Sequence, residues 1–293
     1  MINWLWIALV LLTGVTKGYC GKKTSGIAGH IHDAVYISTV RFGICTLLGA
    51  IICIVQGGFA SLISLNGLWV ALLSGIAQAV FATTWLLAVR TGAYTMLDAF
   101  LTAGILIPSL LCHYLYGEPI KALQWTGFGV LIAAVCILCS YNNRIKSKLT
   151  LRSLGLLLVC GISSGAADFF QKLLNHHYPQ MSAAVFNFYA YAFATVALGA
   201  VFLLLKPKGE KPIAVKSFGG YLAVMAVCLF LNSFFKTLAA RELAAAVMYP
   251  VCQGGGLVLS AVMAASFFGE PIRRRSVLGL LLVFASLMMI TFA

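Results

Sequence analysis

Along this chain, stretches of about 20 apolar residues alternate with short polar breaks, and that is the length that crosses the hydrocarbon core of a bilayer. Taking the breaks as loops predicts ten helical spans, at about 3–19, 33–56, 66–90, 93–116, 121–141, 153–175, 182–205, 218–240, 243–268 and 275–292. The narrowest break lies at 91–94, where little more than Arg90, Thr91 and Gly92 separates two spans. A tight turn is the economical reading there, because a single helix of about 50 residues far exceeds what one crossing needs. The first stretch begins at Ile2 without a basic n-region or an A-x-A site, so it is expected to be the first helix and not a signal peptide.

The apolar pattern is duplicated. Gly117-Glu118-Pro119-Ile120 recurs as Gly269-Glu270-Pro271-Ile272 at an offset of 152, and the same register pairs Leu86 with Leu238, Ala88 with Ala240, Met96 with Met248 and Gly104 with Gly256. Further upstream the offset is 150, pairing Ala34-Val35 with Ala184-Val185 and Leu48-Gly49-Ala50 with Leu198-Gly199-Ala200. Each half holds an odd number of spans, so the second is predicted to lie upside down relative to the first. The expected fold class is an all-α membrane protein of ten transmembrane helices in two inverted five-helix repeats, at 1–143 and 153–293, joined by a basic linker at 144–152.

Composition agrees: 61% of the 293 residues are hydrophobic and 9% charged, where soluble domains are about a quarter charged. The net charge of +13 does not indicate nucleic acid, because the Lys and Arg residues sit in short loops with no aromatic-basic stripe. Alternate loops carry Lys22, Lys23, Arg90, Arg144, Lys146, Lys148, Arg152, Lys206, Lys208, Lys211, Lys216, Arg273, Arg274 and Arg275, whereas the other side has little beyond Lys121 and Arg241. Positive residues are retained in the cytoplasm, so both termini are expected outside, in a multi-pass protein of a bacterial inner membrane.

The five-plus-five pattern, with a long fourth helix ending in Gly-Glu-Pro and then a Gly-containing fifth helix in each half, resembles the drug/metabolite transporter superfamily and its ten-helix EamA-type members. The fifth helices open at Leu123-Gln124-Trp125-Thr126-Gly127 and Ser276-Val277-Leu278-Gly279. The resemblance implies a basket of helices one to four and six to nine around a central path, with the fifth and tenth outside. It also implies transport of a small molecule and leaves the substrate open. Many members resemble each other in having cytoplasmic termini; the charge count here gives the reverse.

Ionisable and polar groups inside spans are costly and mark a cavity or a partner. In the sixth span Ser164, Asp168, Gln171, Lys172 and Asn175 share one helical face, with Asp168 and Lys172 spaced for an i,i+4 ion pair. The fourth span has Asp98, and the second has Arg41, for which snorkelling toward the headgroups competes with substrate binding. The seventh offers Asn187 and Tyr191, the eighth Asn232 and Lys236, the ninth Tyr249 and Gln253, and the third Gln78 and Trp85. These thirteen residues are the candidate substrate site: Arg41, Gln78, Trp85, Asp98, Asp168, Gln171, Lys172, Asn187, Tyr191, Asn232, Lys236, Tyr249 and Gln253. Basic groups outnumber acidic ones among them, so the expected substrate is a small anionic or zwitterionic metabolite, amino-acid-like or related, with protons as a possible coupling ion at Asp168.

Other features carry blander readings. Lys17 is expected to anchor or cap at the cytoplasmic interface, and Glu118 and Glu270 are read as turn formers. Gly254-Gly255-Gly256 and Gly104 suggest close packing of the fourth and ninth helices. The nine cysteines read as buried small apolar groups; Cys136 and Cys139 lack a second ligand pair, and His113, His176 and His177 read as hydrogen-bonded or loop groups, so neither a metal nor a cofactor is expected. Gly161-Ile162-Ser163-Ser164-Gly165 fits G-x-S-x-G by letter, yet lies mid-span where a strand-to-helix elbow cannot form. The alternatives to a carrier are therefore a non-transporting structural or regulatory membrane protein and, behind it, an intramembrane hydrolase.

Overall fold

The computed structural model describes residues 2–25, 31–58, 66–91, 94–142, 151–205, 219–268 and 274–292. Among them the chain is all helix, with no strand: α1 (Ile2–Ser25), α2 (Ile31–Gly57), α3 (Leu68–Thr91), α4 (Tyr94–Gly104), α5 (Leu106–Tyr116), α6 (Ala122–Asn142), α7 (Leu151–His177), α8 (Ala183–Leu204), α9 (Gly219–Glu242), α10 (Ala245–Phe268) and α11 (Arg274–Thr291). Seven of these are long and apolar enough to cross a membrane, and Phe100–Tyr116, Ala122–Ile137 and Val277–Ile290 are shorter apolar helical stretches, the first of them spanning the α4–α5 junction. Large apolar side chains such as Trp4, Leu12, Val55, Val196, Leu203 and Phe267 face outward, the inverse of a soluble fold and the arrangement lipid demands. The chain is a multi-pass membrane protein.

Two expectations are corrected at helix ends. The predicted fourth span at 93–116 is broken at Ile105 into α4 and α5. Pro108 has no N–H to donate to Gly104 and its ring crowds that carbonyl, so the ladder stops one turn before it. The first helix runs to Ser25, beyond the predicted 19, because Lys22 and Lys23 in its last turn suit the negative helix end, and both lie over the Phe268 ring, at 4.4 and 5.4 Å.

The strongest helix pairings are α1 with α9, α2 with α8, α3 with α7, and α6 with α11. Turns at one end of the bundle meet each other: Trp69 donates to the Tyr178 hydroxyl at 2.9 Å, the Tyr116 ring stacks 4.0 Å from His176, and Arg241 donates to Asn175. Gly58, Gly67 and Gly117 adopt positive φ at the turns of this end, where a side chain would be strained. Ser182 caps α8 by accepting from the Val185 N–H.

The fourth span does pack against α10, as expected, but its closest glycine contact lies elsewhere. A Cβ on Gly104 would overlap the Gly161 carbonyl of α7, and one on Gly165 would overlap the Gly104 carbonyl. Gly254 instead faces Leu287 of α11, and Gly255 faces Leu11 of α1. The tight glycine seam of the fourth span therefore runs against α7 and not against α10. It also accounts for the glycines of the G-x-S-x-G letters: both serve this seam, while the Ser163 hydroxyl donates to the Val159 and Cys160 carbonyls inside a continuous helix.

Candidate functional site

The inward faces of α1, α2, α3, α4, α7, α8, α9 and α10 surround a central cavity of about 140 Å³. That is room for a cluster of waters or a small metabolite. Among the described residues α5, α6 and α11 contribute nothing to its wall. Nine of the thirteen candidate residues line it: Arg41, Gln78, Trp85, Asp168, Gln171, Tyr191, Asn232, Lys236 and Gln253.

Asp168 is buried, and its partner corrects the expectation. Lys236 of α9 donates to both carboxylate oxygens, at 2.7 and 3.0 Å, so the ion pair joins two helices and does not form within α7. Lys172 turns away along α7 toward the turns, where it pairs with Glu118 at 3.0 Å and donates to the carbonyls of Ala240 and Leu243. The physical reason is competition: at i+4 Lys172 can reach a carboxylate across an exposed helix face, but Lys236 approaches Asp168 frontally from the facing helix, and the last carbonyls of α9 draw Lys172.

A polar network backs this pair. Gln171 donates to the Ser233 hydroxyl at 3.2 Å, Ser233 donates to Asn187, and Asn187 donates to Thr237 at 3.2 Å and to the Ala183 carbonyl at 2.7 Å. Asn187 thus supports the wall from behind it. So does Tyr249, whose hydroxyl donates to the Asp168 backbone carbonyl at 2.6 Å. Asn232 ties α9 to α1 by donating to the Val10 carbonyl at 2.7 Å, and Tyr191 donates to the Leu229 carbonyl. The Asp98 side chain lies outside the described residues.

Arg41 is 3% exposed, so it does not snorkel; it turns into the cavity. Its Nη1 lies 3.8 Å from the Met225 sulfur, its guanidinium 5.1 Å from the Phe42 ring, and its Nε has no hydrogen-bond partner among the described residues. The Gln171 Oε1 is likewise buried without a partner. Buried polar groups are almost always satisfied, so two such atoms on one cavity wall, a cationic donor and an acceptor, are chemistry available to a ligand.

Sequence reasoning missed part of the wall. Lys17, assigned to the interface, lines the cavity, because α1 continues a further two turns past it. Ser164, Ser233 and Ser260 line it as well, and the first and last of these stand on stripes already visible in the sequence. Phe42, Phe81 and Met225 add apolar wall that no pattern separates from core. Cys136 is exposed on α6, away from the site, and Glu270 lies outside the described residues.

Residues 151–292 match the EamA-like transporter family. No curated protein matches the chain. Among 28 solved chains of similar fold, a crystal structure described only as that of a protein covers 97% of this chain and 96% of its own at 14% identity, with a TM-score of 0.67, a likeness of fold. The family match spans α7 to α11, so the part of the chain that supplies Asp168, Gln171, Tyr191, Asn232, Lys236 and Gln253 to the cavity wall is the part similar to the EamA-like transporter family.

Proposed function

We propose that this protein is a secondary transporter that moves a small anionic or zwitterionic metabolite, amino-acid-like or related, by alternating access around the central cavity. The observation that carries the reading is Arg41, a fully buried guanidinium that faces the cavity and meets no carboxylate among the described residues. An unpaired buried charge is expensive, and such a charge persists in membrane segments where it serves a ligand. Arg41 and Lys236 against Asp168 give this part of the described wall an excess of positive charge. Gln171 Oε1 adds an acceptor for a donor group on the same ligand.

The ten-span reading counts α4 and α5 as one broken span, with halves at 1–143 and 153–293. Helix pairing supports an inverted relation between them. If each span corresponds to the one five places on, α1 against α9 is the counterpart of α7 against α3, while α2 against α8 and α6 against α11 each map onto themselves. Two halves related in this way can rock about a site on their pseudo-axis. Asp168 remains the group proposed to take a coupling proton.

Purified protein in liposomes tests the function. Saturable uptake is expected from a panel of carboxylate and amino-acid-like solutes, together with thermal stabilisation by the same solutes. Equal uptake of cationic analogues would remove the anion preference, and neither flux nor stabilisation across the panel would leave a non-transporting membrane protein.

A further inference from the structure

The Gly-Glu-Pro turn of the first half has chemistry that a turn former does not need. Gly117, at φ +66°, ends α5, and the Gly117 and Glu118 N–H groups bond back to the His113 and Cys112 carbonyls, so the turn is fixed where it stands. From it the Glu118 carboxylate reaches into the second half. One oxygen accepts from the Ala245 N–H at 2.8 Å, at the start of α10, and the other lies 3.0 Å from Lys172 Nζ on α7. Lys172 in turn donates to the Leu243 carbonyl at 2.8 Å and the Ala240 carbonyl at 3.2 Å, at the end of α9. Each charge sits at the helix end whose dipole favours it.

Two features make this arrangement more than a cap. It joins one half to the other, whereas a cap serves its own helix. It also stands one helical turn beyond the cavity: Lys172 follows Asp168 by four residues on α7, and Ala240 follows Lys236 by four on α9, so α7 and α9 are tied by two successive rungs. Seven residues of α10 separate Ala245 from the cavity-lining Cys252, which places the clasp about 10 Å above the site. Its side chains are 12% and 20% exposed, within reach of water that can take over their hydrogen bonds when they part.

We propose that Glu118 is the positioning residue of a clasp that holds the cavity closed on the side of the 117–121 turn, and that opening toward that side parts Glu118 from Lys172 and from the start of α10. This rests on the alternating-access reading, which requires the halves to separate at one face while they close at the other. A ligand anion that draws Lys236 from Asp168 loosens the lower rung and so bears on the upper.

The test uses full-length protein with Cys252 as its sole thiol, in oriented membranes, with an impermeant methanethiosulfonate added from the side of the turn. Glu118→Gln and Lys172→Gln each raise the labelling rate of Cys252 about tenfold. In a thiol-free background, bridging Glu118→Cys to Lys172→Cys with a short bifunctional thiol reagent brings transport to background, and cleaving the bridge restores it. Labelling within twofold of the parent in both folded variants overturns the proposal, as does full transport in the bridged protein; lowered stability with unchanged labelling shows only a cap and overturns it too. Should Glu118→Gln fail to fold, Lys172→Gln decides, since it leaves the Ala245 contact in place. If the parent transports nothing, the carrier reading falls while the labelling still decides whether Glu118 closes this face.

Discussion

Asp168 and Lys236 are the pair whose role separates most cleanly into stability and function. Lys236→Met strands a carboxylate, and we expect a loss of about 3 kcal/mol, the low end for breaking a buried pair because the cavity admits water. The joint Asp168→Leu/Lys236→Met variant regains most of that stability, since apolar replacement of a buried pair is close to neutral, yet transport stays abolished. Thermal unfolding in detergent beside uptake in liposomes measures both; normal uptake by the double variant would take the pair out of the mechanism. Arg41 behaves oppositely. Arg41→Met removes an unpaired buried charge, so its melting temperature rises while uptake is lost, and Arg41→Lys, which keeps the charge without the planar fork, lowers kcat/KM about tenfold, roughly 1.4 kcal/mol. Sequence periodicity placed Asp168 and Gln171 on the cavity face, because a stripe at i, i+4 and i+7 is a property of one helix. It could not choose Lys236 over Lys172, since the azimuth of α9 about α7 is written in neither helix, and a partner 68 residues away competes with one four residues away only once both are packed.

Helices α4 and α7 show how a seam sets tolerance at the next scale. With carbonyl oxygens of each helix occupying the space a side chain would take on the other, Gly104→Val and Gly165→Val force the backbones apart, and we expect losses of about 3 kcal/mol in each. Gly155, on the same α7 with open space around its Cβ position, is the control: Gly155→Ala leaves the melting temperature unchanged or slightly raised. Equal losses at Gly104 and Gly155 would show that helix propensity, and not contact, governs these positions. Span lengths and most boundaries were legible from hydropathy alone. The break at Ile105 was also within reach, since Pro108 stands in the sequence with Gly104 four residues before it, but hydropathy is blind to a missing N–H. The partner of Gly104 was not legible, because a glycine advertises a close approach without naming the helix that makes it.

For the molecule as a whole, the skew of basic loop residues predicts both termini outside, and a cysteine placed at 178 then reacts with an impermeant reagent in intact cells while one at 147 does not; the reverse pattern would invert the topology. The all-helical, multi-pass character was the most readable level, since the alternation of apolar stretches with polar breaks carries it without any side-chain detail. The eight-helix wall and the outlying α6 and α11 follow the expectation drawn from the family resemblance. That outlying pair has a consequence for how the protein can change. Gln124 donates to the Ile290 carbonyl, and Gly127 lies close against Ile290, so the two helices brace each other without touching the cavity. Scaffold and selectivity are therefore separately mutable: in a saturation scan, outward positions such as Trp125, Ile132, Leu281 and Phe284 should exchange freely among apolar residues, whereas Gly127 and Leu131 resist substitution through expression level, and Arg41 resists it through substrate choice alone.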